Sequence, residues 1–201
     1  MSWIKTIPYE EADQALRRLY DKVAGPNQNI DNVLLIHSLR PNTLKGHMTL
    51  YKSVLHSSQN TLPKWYLEAI GVYVSYLNQC DYCVAHHQEG LKRLIVGDID
   101  FDKMLEALKS DRPEQFFTDR YLLGMNYARI LTVEHHLLSK SHIDQLKAFG
   151  FSEGEILELN QVAAYFNYVN RMVVGLGVNT DGDVLGLSPN DNSDPNNWSH
   201  L

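Results

Sequence analysis

Cys80 and Cys83 are the two cysteines of this 201-residue chain, and only Asp81 and Tyr82 separate them. A C-x-x-C pair brings two sulfurs close enough to join when the second lies in the first turn of a helix. Backbone N–H groups there favour a thiolate and lower its pKa. Two cysteines cannot form a disulfide framework, so the pair reads as redox-active or metal-binding. Val84, Ala85, His86 and His87 follow. At 100° per residue, Cys80, Cys83, Val84, His87, Leu91, Leu94 and Ile95 share one face, and its apolar members point it at the core. His87, one turn after Cys83, is the histidine able to hydrogen-bond or deprotonate a cysteine. Tyr82, His86, Glu89 and Arg93 fall opposite, so His86 is expected to face water or a partner subunit.

The preceding segment carries one charge between Lys64 and Asp81, namely Glu68, set among Trp65, Tyr66, Leu67, Ile70, Val72, Tyr73 and Val74. A helix apolar on most faces is largely buried. A buried carboxylate is costly unless paired, and burial raises its pKa. Alternatively, Lys64, Glu68, Gly71 and Ser75 form one narrow polar stripe, and Glu68 makes an exposed i, i+4 pair with Lys64. Both readings stand at this level. Asn78-Gln79 is a short connection, so the two helices are antiparallel neighbours or cross sharply. Either way Glu68 approaches the helix of Cys83 and His87.

The elements that must position these groups are helical almost throughout. Apolar residues recur at three- and four-residue steps from Ala12 to Val23, from Leu44 to Leu55, from Tyr121 to Val133 and from Ile156 to Val173. Asp31 and Asp100 are expected caps, and Ser152 with Glu155 spells a capping box. No window alternates with period two, so the fold class is all-α. Residues 1–177 read as a single helical domain. From Val178 the chain turns polar, rich in Asn, Asp, Gly, Pro and Ser. Residues 178–201 are expected to lie on the domain or on a neighbouring subunit, anchored by Trp198. The net charge of −6 gives no electrostatic footprint for nucleic acid or an anionic membrane. No apolar run reaches the ~20 residues of a membrane span. The N-terminus lacks the apolar run of a signal peptide. A cytoplasmic protein is expected, with no cofactor and no resident metal.

The pattern Glu68, Cys80, Cys83, His87 resembles the alkylhydroperoxidase D group of the carboxymuconolactone decarboxylase superfamily, and more closely its uncharacterised peroxidase-related branch. The segments AAYFNYVNRMVVGLGV and RPNTLKGHMTLY are similar to its last helix and an early one. The resemblance implies an AhpD-like helical fold and a homo-oligomer, whether dimer, trimer or hexamer. It implies a dithiol–disulfide site in which Glu68, His87 and a water relay protons. Hydroperoxide is the implied substrate, and a thiol, dithiol or partner protein the reductant. The decarboxylases of the superfamily lack the cysteine pair, so decarboxylation is not expected. Tyr82 stands where alkylhydroperoxidase D carries a histidine, so a relay through that histidine cannot operate.

Peroxide reduction needs an attacking thiolate, an acid for the leaving alkoxide and a second thiol to resolve the sulfenic acid. Cys83 is the favoured nucleophile because it shares the face of His87, and Cys80 the resolving thiol; the reverse order remains open. Two other readings compete. One is a redox-sensing scaffold without turnover. The other is a zinc site of Cys80, Cys83, His86 or His87, and Glu68. His37, His47, His56, His135, His136 and His142 show no ligand spacing. Tyr51, Trp65 and Tyr73 read as core, and Asn167, Asn170 and Arg171 either satisfy helix ends or line the site.

Overall fold

Proline, glycine and capping side chains divide the helical runs. The computed structural model describes residues 2–200, so Met1 and Leu201, the outer limits of the expected domain and tail, lie outside the described residues. The α-helices are α1 (Gln14–Val23), α2 (Asn32–Leu35), α3 (Pro41–Leu55), α4 (Lys64–Leu77), α5 (Asp81–Leu94), α6 (Phe101–Lys109), α7 (Asp119–Val133), α8 (Lys140–Ala148) and α9 (Glu153–Gly175). No strand occurs among the described residues, and the fold is all-α. Two of the expected caps are present. Ser152 Oγ accepts from Glu155 N while Glu155 Oε2 accepts from Ser152 N at 2.8 Å, and Asp100 accepts from Lys103 N at 3.0 Å. Asp31 does not cap α2 with its side chain. Its carboxylate instead accepts from Asn29 Nδ2 at 3.1 Å.

The apolar helix α4 is central. It packs on α5, α7 and α9, and every residue from Tyr66 to Ser75 is buried. Burying its Leu, Ile and Val side chains contributes about 1.5–3 kcal/mol each. The first three helices form a second cluster in which Leu16, Tyr20, Leu44 and Met48 surround Trp198.

The junction between α4 and α5 aims the cysteines. Gln79 N donates to Tyr76 O and Cys80 N donates to Ser75 O, each at 3.0 Å, with Gln79 at φ 55°. This is a Schellman ending with glutamine where glycine is favoured. It stops α4 and makes Cys80 the N-cap of α5. Asn78 Nδ2 reaches Asn167 Oδ1 at 3.1 Å and Asn170 Oδ1 at 3.0 Å. Asn170 Nδ2 donates to Ser75 Oγ at 3.1 Å. These two asparagines of α9 therefore clamp the junction. Gln79→Gly relieves the left-handed strain and is expected to add about 0.5–1 kcal/mol to the unfolding free energy. Urea titration checks it; an unchanged or lower midpoint contradicts the assignment.

The polar C-terminal segment lies on the domain. Trp198 is its buried anchor, and Arg93 donates to the carbonyls of Leu185 and Gly186. The Lys52 ammonium contacts the Asn190 carbonyl. Asp183 accepts from Asn32 N at 3.0 Å and from Tyr82 OH at 2.6 Å, and lies 3.2 Å from His86 Nε2. Tyr82 and His86 are consequently buried. The expectation that His86 faces water or a partner subunit, with Tyr82 on the same outward side, is corrected: the polar face of α5 is covered by this chain's own C-terminal segment.

Asp31 sits beside that contact. Burial, reinforced by the Asp183 charge, pushes its carboxyl up to about 6, against smaller opposing effects of His86 and His200. Asp31 therefore binds its proton more tightly folded than unfolded. The stability it contributes is complete below the unfolded value near 3.8 and is lost as pH rises through about 6. Asp31→Asn is expected to raise stability at pH 7.5 by on the order of 1 kcal/mol and to leave it unchanged near pH 3.5. Thermal midpoints at the two pH values check this. An equal gain at both would remove Asp31 ionisation as the cause.

Candidate functional site

Glu68 and Gly71 lie on the stripe of α4 that faces α5 and α9. Glu68 is only 3% exposed, and its Oε2 lies 2.8 Å from His87 Nδ1. The exposed-pair alternative with Lys64 is not realised, because the Lys64 ammonium binds Asp191 at 2.6 Å. Burial pushes the Glu68 carboxyl up. The charge and hydrogen bond of His87, helped by His56 and Lys64, outweigh it and leave the carboxyl below its ordinary value. Glu68 is thus an ionised acceptor, His87 Nδ1 is the donor, and Nε2 is left free. The His87 ring is braced edge-on by Phe166 at 4.6 Å between centroids. No side chain fits at Gly71, where a methyl group would collide with the Phe166 ring.

Cys80 and Cys83 are both buried and unbridged, with their sulfurs 2.7 Å apart in a shared hydrogen bond. The Cys83 thiol, followed by the Cys83 amide and the Asn170 side chain, pulls the Cys80 thiol down despite burial. Burial and the neighbouring Cys80 push Cys83 well above the thiol range. Of the two thiols, Cys80 therefore ionises the more readily and Cys83 holds its proton the more tightly. That departs from the expectation of a Cys83 thiolate: the helix N-terminus serves the N-cap sulfur, whereas Cys83 sits a turn further into the core. His87 makes no hydrogen bond to Cys83, since Glu68 engages its Nδ1.

Access separates the cysteines in the opposite sense. A cleft is lined by Cys83, His87, Glu68, Tyr51, Tyr165 and His47, but not by Cys80. Leu187, Ser188, Pro189 and His200 of the C-terminal segment form part of its wall. Tyr51 and Tyr165 stack at 5.6 Å. Burial holds His47 down to about 3, so it is neutral. Among the described residues no lysine or arginine lines this cleft, while Asp31 and Glu68 do.

Three residues of the site escaped sequence reasoning. Tyr51 read as core, yet it lies one turn after His47 on α3, a shared-face signal that was available. His56 is buried between Glu68 and Asp191. Asp191 had no signal, since only the path of the C-terminal segment brings it near. Among the described residues, no group of three or more His, Cys, Asp or Glu side chains is placed to hold a metal. The zinc donors named from sequence do not converge: His87 is held by Glu68 and His86 lies against Asp183. No helix among the described residues is long and apolar enough to cross a membrane.

No family model and no curated protein matches the sequence. Solved structures do. An alkylhydroperoxidase AhpD core, uncharacterised peroxidase-related protein from Ralstonia eutropha JMP134 is 20% identical with a TM-score of 0.76, covering 89% of this chain and 92% of that one. An uncharacterised peroxidase-related protein from Silicibacter sp. TM1040 is 20% identical with a TM-score of 0.75, covering 90% and 93%. A cysteine-to-alanine variant of the debrominase Bmp8, in complex with 2,3,4-tribromopyrrole, is 17% identical with a TM-score of 0.69, covering 90% and 94%. The helices that carry Glu68, the cysteine pair and His87 are thus set in the fold of the alkylhydroperoxidase AhpD core.

Proposed function

We propose that this protein is a dithiol peroxidase that reduces an organic hydroperoxide at Cys83 and is recycled by an external thiol or dithiol. The observation that carries the reading is the cleft that presents Cys83 together with the Glu68–His87 pair, while Cys80 waits 2.7 Å behind it. The Cys83 proton passes to the Cys80 thiolate across that contact. The Cys83 thiolate then attacks the hydroperoxide, breaking the O–O bond to give a Cys83 sulfenic acid and an alkoxide. The alkoxide takes a proton delivered through the His87 imidazole, which Glu68 holds at Nδ1, and solvent replaces that proton. The Cys80 thiol attacks the sulfenic sulfur, the disulfide forms, and the sulfenic hydroxyl leaves as water with the Cys80 proton. The thiolate–thiol pair and hydroperoxide, with one proton from solvent, give disulfide, alcohol and water.

The test is stopped-flow loss of the two thiols with cumene hydroperoxide, followed by reduction with dithiothreitol. Thiol loss far above that of free cysteine, restored on reduction, is expected. Loss at the free-cysteine rate overturns the reading and favours a redox sensor. One second reading has its own support: the debrominase of the same fold and the stacked Tyr51–Tyr165 wall favour a ring-bearing substrate. A brominated pyrrole in the same assay measures it, with bromide release as its signature.

A further inference from the structure

The imidazole of His56 is buried, and neither of its nitrogens has a partner at normal hydrogen-bond geometry among the described residues. Buried polar atoms are rarely left so, and a phenyl ring would fill the space beside Tyr51 without that cost. What distinguishes the position is its neighbours. His56 Nε2 lies 4.0 Å from Oε1 of Glu68, the oxygen not used by His87. His56 Nδ1 lies 3.5 Å from Oδ1 of Asp191. The Glu68 side chain is 3% exposed, whereas the Asp191 side chain is 47% exposed.

We propose that His56 and Asp191 are positioning residues that form a proton path between Glu68, the buried member of the Glu68–His87 pair, and solvent. The inference rests on the dithiol reading of the site. Starting from one thiolate and one thiol, each oxidation by peroxide takes up one proton and each re-reduction by a dithiol releases one. The Glu68–His87 pair must exchange that proton with water, and Glu68 is its buried member. An imidazole does this by accepting on one nitrogen and releasing from the other, then returning to its first tautomer. Both separations lie just beyond hydrogen-bond length, so each carboxylate must swing inward for transfer. The charged and titratable groups around the ring are Glu68 and Lys64 of α4 and Asp191 of the C-terminal segment, with the Tyr51 phenol of α3 at its edge. Burial keeps the ring below its ordinary value despite the two carboxylates, which leaves it neutral and able to accept.

Full-length Asp191→Asn and His56→Gln test the path. Thiol loss is followed with cumene hydroperoxide and with 5,5′-dithiobis(2-nitrobenzoate), whose reduction instead releases a proton. At low buffer concentration both variants are expected to slow about tenfold with each reagent. Raising imidazole buffer is expected to restore Asp191→Asn, whose lesion is at the surface, but not His56→Gln. Rates within twofold of the parent at every buffer concentration overturn the path, as does a loss in Asp191→Asn that ignores buffer. If His56→Gln fails to fold, the half-exposed Asp191 variant decides alone. A parent inert to peroxide but reactive with the aromatic disulfide removes the peroxidase reading and leaves the path to be judged on the second reagent.

Discussion

Cys83→Ser is expected to abolish peroxide-dependent thiol loss, a fall of at least about 10³-fold, because a serine hydroxyl is no nucleophile toward O–O at neutral pH. The Cys80 thiol left behind stays buried and does not line the cleft, so its charge gives it no route to the peroxide. Cys80→Ser is expected to behave differently. Cys83 still reaches the substrate, but the thiolate that accepts its proton is gone and attack slows. The sulfenic acid formed has no resolving thiol, so it persists and over-oxidises. Dimedone labelling and mass spectrometry read the difference: adduct on Cys83 in the Cys80 variant, none in the Cys83 variant. Adduct on Cys80 in Cys83→Ser, with none in Cys80→Ser, would reverse the order of attack. Each serine replaces a buried thiol, and the stability cost is expected to stay near 1 kcal/mol.

This pair of variants turns on a conflict that sequence could not expose. Helix geometry placed Cys83 on the face of His87, and the cleft does present both. The same geometry said nothing of charge, which depends on the N-cap position of Cys80, on the shared thiol hydrogen bond and on Asn170 from a helix ninety residues away. The helices themselves were legible because 3.6-residue periodicity and the Ser152–Glu155 box are local signals. The burial of Glu68 was legible as one of two alternatives, and only the packing of α4 against α5 and α9 chose between them. The failure at Tyr82 and His86 has the opposite origin. A helical wheel assigns a polar face to solvent, and a polar segment arriving from residues 178–200 satisfied that face with Asp183. Covering by a distant polar segment leaves no periodic trace in the residues covered. His56 and Asp191 were hidden for the same reason.

Glu68→Gln separates the chemical role of the carboxylate from its structural one. Glutamine keeps the shape and can still accept from His87 Nδ1 through its carbonyl oxygen, but it carries no charge to assist proton delivery through the imidazole. The hydrogen bond weakens from charge-assisted to neutral, a loss of about 1 kcal/mol, while the desolvation cost of a buried carboxylate disappears. These oppose each other, so the unfolding free energy at pH 7 is expected to move by less than about 1 kcal/mol. Its pH dependence is expected to change. The folded carboxyl lies below its ordinary value of 4.5, so the stability it contributes is present above that value and fades as pH falls through the lower folded one. The glutamine variant lacks this acid-side loss. Thiol oxidation by cumene hydroperoxide is expected to slow about 10²-fold, because the alkoxide no longer receives its proton through a carboxylate-held imidazole. Stopped-flow rates, with urea unfolding at pH 7 and pH 4, check both statements. A full rate in a folded variant removes Glu68 from the reaction, and a large loss of stability at pH 7 makes its role structural.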